Sequence, residues 1–482
     1  MEENELGKTM EITLKKIGML DEARLEIGDI TLICGENNTG KTYVTYSLYG
    51  YLDYIQGLGY SSLYKIFSEN CSIYDDVLQI EIKKISEIFE NISQHLNNLF
   101  KEKLPDILAG RADNFKESDF CENSLTRLVD SFSKDTQNII DFFGSLESIE
   151  CKIDLEYVNF SFKQNELFLK KESDDVKKVK FVVIILSHVF TKIYPLPFIL
   201  SAERTGASMF QKELDVNKNE IVEEISKVDG NNMESIVSSV LNRRYSRYPK
   251  PVKDNIYFVR SVDEVSKKIS FIKKEEKNNP LYAHILEILY KIVGGKYLIS
   301  EEGIEFAPGA KQRVTKGKFA IQRASSSVRS LLILNLYILH VAQKNDILMI
   351  DEPELNLHPK NQILLTRLLV LLANAGIKIF ITTHSDYIVR ELGNCIMLNN
   401  LSDEQIGKFL EKGYNINCKI NYKSVKAYLA KEIKGKNVLQ AIEVTSNEGI
   451  FMDTFDEPID SQNENQGKIY EEILYRRAHD DK

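Results

Sequence analysis

One octapeptide constrains this chain more than any other stretch: GENNTGKT, from Gly35 to Thr42. It follows the apolar run Ile30-Thr31-Leu32-Ile33-Cys34 and leads into Tyr43 to Tyr51, which reads as a helix. Strand, glycine loop and helix form the context in which Gly-x-x-x-x-Gly-Lys-Thr cradles phosphate. Gly35 and Gly40 let the backbone curl so that successive N–H groups point at one anion. Glu36, Asn37, Asn38 and Thr39 form the rest of the cradle. Lys41 is spaced to reach the β- and γ-phosphates, and the Thr42 hydroxyl to serve as a Mg²⁺ ligand. The helix that starts near Lys41 turns its positive end toward the same phosphates. The expected ligands are ATP and Mg²⁺.

Two further motifs lie almost at the other end of the chain. In ILMIDEPELNLHP (347–359) an apolar strand ends in two adjacent carboxylates. Such a pair is costly to bury unless a cation sits nearby. Asp351 would hold the Mg²⁺ shell, and Glu352 would polarise the attacking water as general base. In IFITTHSDYI, His384 follows a second apolar strand. Strand C-termini face the ligand crevice of a parallel sheet, so His384 can contact a γ-phosphate. Between the loop and these motifs, Ser325, Ser326 and Ser327 open a helix just before the acidic strand. Serines there cap the helix, and the same hydroxyls and N–H groups can bind an anion.

The 482 residues suffice for one large domain or two to three ordinary ones, and 43% are hydrophobic. A net charge of −9 excludes a protein coated in basic charge, though local patches survive an acidic total. None of the six cysteines falls in a C-x-x-C pair, which fits free thiols in a reducing compartment. MEENELGKTM holds no apolar core of the kind a secretory signal needs. The longest apolar run, Phe181 to Leu186, is far short of the ~20 residues that span a bilayer. The expectation is a cytoplasmic protein without membrane contact.

The pattern predicts strands over 10–34 and mainly helix over 53–150, with Ile80, Ile82, Ile85, Ile88, Phe89 and Ile92 at helical steps. It predicts hairpins at 154–171 and 294–308, a buried helix over 179–194, and a strand running into a loop at 197–206. Three α/β units follow: helix 328–343 to ILMID, helix 359–374 to KIFITT, and helix 385–392 to a short strand, CIMLN (395–399). The tail carries a strand near 438–445 and a helix near 466–477. The fold class is α/β: one P-loop domain interrupted by a long, mainly helical insertion. Its parts are an N-terminal lobe (1–52), the insertion with hairpins (53–309), a C-terminal ATPase lobe (310–400) and an extension completing that lobe (401–482).

Taken in order, GENNTGKT, the ASSS helix with IDEPE, and ITTHS resemble the nucleotide-binding domain of ABC-type ATPases of the SMC, RecF and OLD-like class. The resemblance covers roughly 1–52 and 310–400. It implies a homodimer or higher homo-oligomer that shares its ATP sites, each serine-headed helix completing the other subunit's site. It implies phosphate and Mg²⁺ binding by Lys41 and Thr42, and Mg²⁺ and hydrolysis roles for Asp351 and Glu352. His384 becomes a switch histidine, and Asn356 and His358 become polar contacts across the dimer. Ser327 stands where the family has its last signature glycine, which implies slow or partner-stimulated hydrolysis.

FILSAERTGASMF (198–210), DEPELNLHPKNQ, ITTHSDYIVREL and GIFMDTFDEPIDSQN are similar to ATPase subunits of two-gene anti-phage systems such as PARIS. That narrower resemblance implies a sensor and scaffold whose effector, a nuclease or toxin, is a separate chain. OLD proteins carry their own nuclease with an Asp-x-Asp. The tail here has Asp453, Asp456 and Asp460 without that spacing. The alternative function is a RecF-like repair ATPase that clamps DNA.

NRRYSRYPKPVK (242–253) carries Arg243, Arg244, Arg247, Lys250 and Lys253 with Tyr245 and Tyr248 between them. It reads either as a solvated linker or as a grip for DNA or for an acidic protein that imitates DNA. Glu203 and Arg204, at the end of a strand, either line the nucleotide or an interface, or pair with each other.

Overall fold

The structure is a computed structural model that describes residues 10–58, 61–74, 76–134, 136–144, 146, 148–154, 156–163, 173–209, 248–300, 303–309, 317–451 and 453–480. Nine strands build one sheet: β1 (Met10–Ile17), β2 (Leu20–Ile27), β3 (Ile30–Gly35), β4 (Asp119–Glu122), β5 (Leu196–Leu200), β6 (Asp346–Asp351), β7 (Lys378–Thr383), β8 (Val425–Ile433) and β9 (Lys436–Ile442). Their order is β4-β1-β2-β9-β8-β3-β7-β6-β5. From β8 through β5 the neighbours are parallel, and the β1–β2 and β8–β9 hairpins are antiparallel. β4 and β5 come from the 53–309 stretch and pair with β1 and β6.

The central strands are apolar because both of their faces are covered. Ile33, Ile347, Met349 and Phe380 point into one layer, together with Val44, Leu48 and Leu52 of helix α1 (Lys41–Gln56). Leu32, Leu348, Ile350 and Ile381 point into the other. That layer is helical and includes residues of the Pro280–Val293 helix. Helix α2 (Arg204–Met209) lies next to helix α3 (Ser326–Leu336). Helices α3, α4 (Pro359–Asn374) and α5 (Asp386–Met397) supply Leu332, Leu368 and Ile388 to the second layer. Burying each such side chain contributes about 1.5–3 kcal/mol. The sheet's interior therefore fixes where the loops at its C-terminal edge emerge. Among the described residues no helix is long and apolar enough to cross a membrane.

Three expectations are corrected. Ile80 does not share the helix of Ile82 to Ile92: it lies in the strand Val77–Glu81, and the helix begins at Ile82. CIMLN is not a strand: α5 runs on to Met397 and a short turn covers Leu398–Asn400. Ile388, Val389, Leu392, Cys395 and Ile396 are all buried, at helical spacing, so the run is the last turns of an apolar helix face. The hairpin predicted at 154–171 is shifted. Its strands are Ile149–Ile153 and Tyr157–Phe162, and the Asp154 carboxylate accepts from the N–H groups of Glu156 and Tyr157 to make the turn. Residues 164–171 lie outside the described residues. The hairpin at 295–308 forms as expected.

Strand β6 is pinned at its start. The Tyr337 hydroxyl and the Gln343 N–H each donate to Asp346 at 2.8 Å. Burial nevertheless pushes the Asp346 carboxyl up to about 6. The unfolded chain loses that proton first, near pH 4. Between about pH 4 and 6 the native state holds a proton that the unfolded state lacks, so stability falls as pH rises through that window. Asp346→Asn is expected to make this fall shallower by roughly 1–3 kcal/mol. Denaturant titrations at pH 4.5 and 6.5 measure it; an unchanged slope would refute the assignment.

Candidate nucleotide site

Gly40 caps α1 at φ 94, and among the described residues no side-chain cap bonds to the helix's first N–H groups. Those donors are left to an anion. Lys41 is 6% exposed and rests its Nζ on the carbonyls of Gly35 and Glu36, at 3.0 and 2.5 Å. Burial lowers its pKa. Thr39 closes the loop by donating to the Glu36 carbonyl, while Glu36, Asn37 and Asn38 are exposed, Asn38 at φ 63. The loop is held from behind. Gly35 has φ 140, and a Cβ on it would lie 2.0 Å from the Ala430 carbonyl oxygen of β8.

The parallel register brings the other motifs to the same edge. Asp351 stands opposite Thr382, and Thr383 opposite Cys34. Thr42 Oγ1 donates to Asp351 Oδ2 at 3.2 Å, and the Thr382 hydroxyl donates to Asp351 Oδ1. Asp351 is 2% exposed, and burial raises its carboxyl to about 6. A hydroxyl and a buried, under-compensated carboxylate are the hard oxygen donors that Mg²⁺ takes, so this pair fits the ion. Among the described residues no cluster of three or more His, Cys, Asp or Glu could hold a metal by itself.

Glu352 has φ 50, which costs roughly 1–2 kcal/mol for a residue with a side chain. Its N–H donates to the Thr382 carbonyl and hydroxyl at 3.1 and 3.2 Å. Its Oε1 lies 3.5 Å from His384 Nε2, and the neighbouring imidazole holds the carboxyl below its ordinary value. His384 N–H donates to Glu354 Oε1 at 2.6 Å; burial raises the Glu354 pKa. Lys41, Thr42, Asp351, Glu352 and His384 thus converge on one edge of the sheet.

Ser325, Ser326 and Ser327 do not join them. Ser325 caps α3 by accepting from the Val328 N–H, and its hydroxyl lies 2.9 Å from that of Ser327. Among the described residues none of the three bonds to the P-loop. Asn356 donates to Thr205 at 3.4 Å, and His358 caps α4. Lys250 of the basic stretch is held by Asp53 and Asp254 at 3.0 and 2.9 Å. Arg243, Arg244 and Arg247 lie outside the described residues, as do the side chains of Asp453 and Asp456.

Glu203 and Arg204 do not pair with each other. Glu203 accepts from the Tyr46 hydroxyl at 3.1 Å, and Arg204 bonds to the carbonyls of Asp351 and Glu352. The sequence marked both residues but left Arg204 without this partner, because only the β5–β6 pairing brings its helix to Asp351. The role of Thr382 carried a weak signal, a hydroxyl at the end of an apolar strand.

The family described as "AAA ATPase domain" matches residues 10–389 of the chain. No curated protein matches it. Among solved structures the chain is similar to the Smc head bound to the C-winged helix domain of ScpA. The identity is 10% over 90% of this chain and 98% of that one, with a TM-score of 0.35. It is also similar to the Smc head with an extended coiled coil bound to the C-terminal domain of ScpA, derived from Pyrococcus furiosus. There the identity is 12% over 95% and 99%, with a TM-score of 0.31. The SMC head domain from Thermotoga maritima gives 8% over 91% and 100%, with a TM-score of 0.29.

Gly35→Ala is expected to push β8 away from the loop, costing roughly 1–3 kcal/mol of stability and weakening ATP binding at least about tenfold. Gly407→Ala, where a Cβ meets nothing within 4 Å, is the control. Denaturation and nucleotide titration of both variants test it; equal behaviour would refute the close approach.

Proposed function

Since the chain belongs to the AAA ATPase domain family, we propose that it is an ATP-hydrolysing molecular switch that closes on a second copy of itself. The observation that carries this reading is the Asp351–Glu352 step, set between Thr42 on one side and His384 on the other. The 35–42 loop, the start of α1 and Lys41 would hold the phosphates of ATP. Thr42 and Asp351 would hold a Mg²⁺ ion, which when bound would supply positive charge against the phosphates. Glu352, kept ionised by the neighbouring imidazole, takes a proton from the attacking water. His384 orients that carboxylate and would contact the γ-phosphate of bound ATP. Ser325 to Ser327, unbound to their own P-loop, serve the ATP of the second copy.

The resemblance to two-gene anti-phage ATPases supports a finer reading: a cytoplasmic sensor that holds or releases a separate nuclease or toxin chain. The alternative is a RecF-like ATPase that clamps DNA; of its basic stretch, Lys250 is engaged by two aspartates, and Arg243, Arg244 and Arg247 lie outside the described residues.

Glu352→Gln tests the switch. ATP turnover is expected to fall about 10²–10⁴-fold with ATP affinity kept, and the native mass to double when ATP is added. Turnover near the wild-type rate would sink the general-base role, and a monomer with ATP bound would sink the shared site. Co-expression of the same variant with the products of neighbouring genes tests the finer reading. A nuclease or toxin retained in the ATP-bound mass supports it; a bare dimer that gains mass only with DNA overturns it.

A further inference from the structure

Arg204 is 2% exposed and opens α2 at the end of the loop after β5. Its Nη1 donates to the carbonyls of Ser201 and Asp351 at 3.1 and 2.8 Å, and its Nη2 to the carbonyl of Glu352 at 2.8 Å. All three bonds go to main-chain oxygens, none to a carboxylate. A guanidinium buried this way pays a desolvation penalty that a neutral side chain would avoid. What it supplies in return is geometry. A planar fork holds two successive carbonyls from two separate nitrogens in one fixed plane, a constraint that the rotatable donors of an ammonium do not impose.

The second of those carbonyls belongs to a strained residue. Glu352 is in the left-handed region, and such conformations persist only where the surroundings over-determine them. Thr382 holds its N–H, and Arg204 holds its C=O. Both sides of the residue are therefore clamped, and its carboxylate Oε1 lies 3.5 Å from His384 Nε2. The clamp is itself anchored. Asn356 bonds to Thr205, and the Ser208 hydroxyl bonds to the carbonyls of Arg204 and Arg329, tying α2 to α3.

We propose that Arg204 is a positioning residue for hydrolysis, holding Glu352 in its left-handed conformation through the backbone so that the carboxylate faces the attacking water. The inference rests on the reading of Glu352 as general base. Arg204 touches none of the P-loop residues in these bonds, so its loss acts on turnover and not on ATP affinity.

The test is steady-state hydrolysis and nucleotide titration of Arg204→Lys and Arg204→Ala, each alone and combined with Glu352→Gln. Arg204→Lys keeps the charge and loses the fork. The expected result is a kcat about 10²-fold lower with the ATP Kd within about threefold. In the Glu352→Gln background the same change has no further effect, because the residues act as one unit. An unchanged kcat overturns the proposal. So does a parallel loss of ATP binding or folding in both variants, which would make Arg204 a pin of the fold. An additive effect in the double variant overturns it as well. Failure of the underlying reading is visible separately, as wild-type turnover by Glu352→Gln alone.

Discussion

The carboxylate of Asp351 is the group on which this edge of the sheet depends. It sits at the end of an apolar strand with both faces covered, where a charge is disfavoured. Two hydroxyls compensate in part, one from Thr42 at the start of α1 and one from Thr382 on the neighbouring strand. Those bonds require β3, β7 and β6 to end together, and the parallel register makes them do so. Once that alignment exists, Glu352 and His384 are neighbours by construction. A one-residue slip of β7 would exchange the faces of that strand and carry Thr382 away from Asp351.

The central strands were legible because a strand covered on both faces must be apolar throughout, and its polar end must be a site. CIMLN failed that rule for a physical reason: an apolar helix face also produces a short apolar run, and the run alone does not separate the two. β8 escaped notice because Lys426, Lys431 and Glu432 interrupt it. Lys426 is nonetheless paired with Glu26 from β2. Its turn was also disguised. Lys434 and Gly435 both have positive φ, 53 and 77, but a lysine takes the place where asparagine or aspartate would announce a tight hairpin. Arg204 was visible in sequence as a charged residue at a strand end, and its purpose was not, because its partner lies 147 residues away.

The two halves of the site are supported by different parts of the chain. The P-loop leans on the C-terminal hairpin: Ala430 backs Gly35, and Asn437 bonds to Met19 and to the Asn38 carbonyl. The Asp351–Glu352 step leans on Arg204, which lies in the long stretch between the P-loop and the acidic strand. Thr42 and Asp351 are the direct bond between those halves.

This arrangement has a consequence for how the site comes into being. The bond from the Asn437 N–H to Asp21 joins residues 416 apart, and the β8–β3 pairing spans a comparable length. Closing such loops costs chain entropy before any contact repays it, and non-local pairing of this kind is slow. The 35–42 segment therefore cannot reach its final shape as an isolated strand–loop–helix. It is completed when the last two strands of the sheet insert between β2 and β3. Phosphate binding is in that sense a property of the whole sheet, although the motif that announces it is eight residues long.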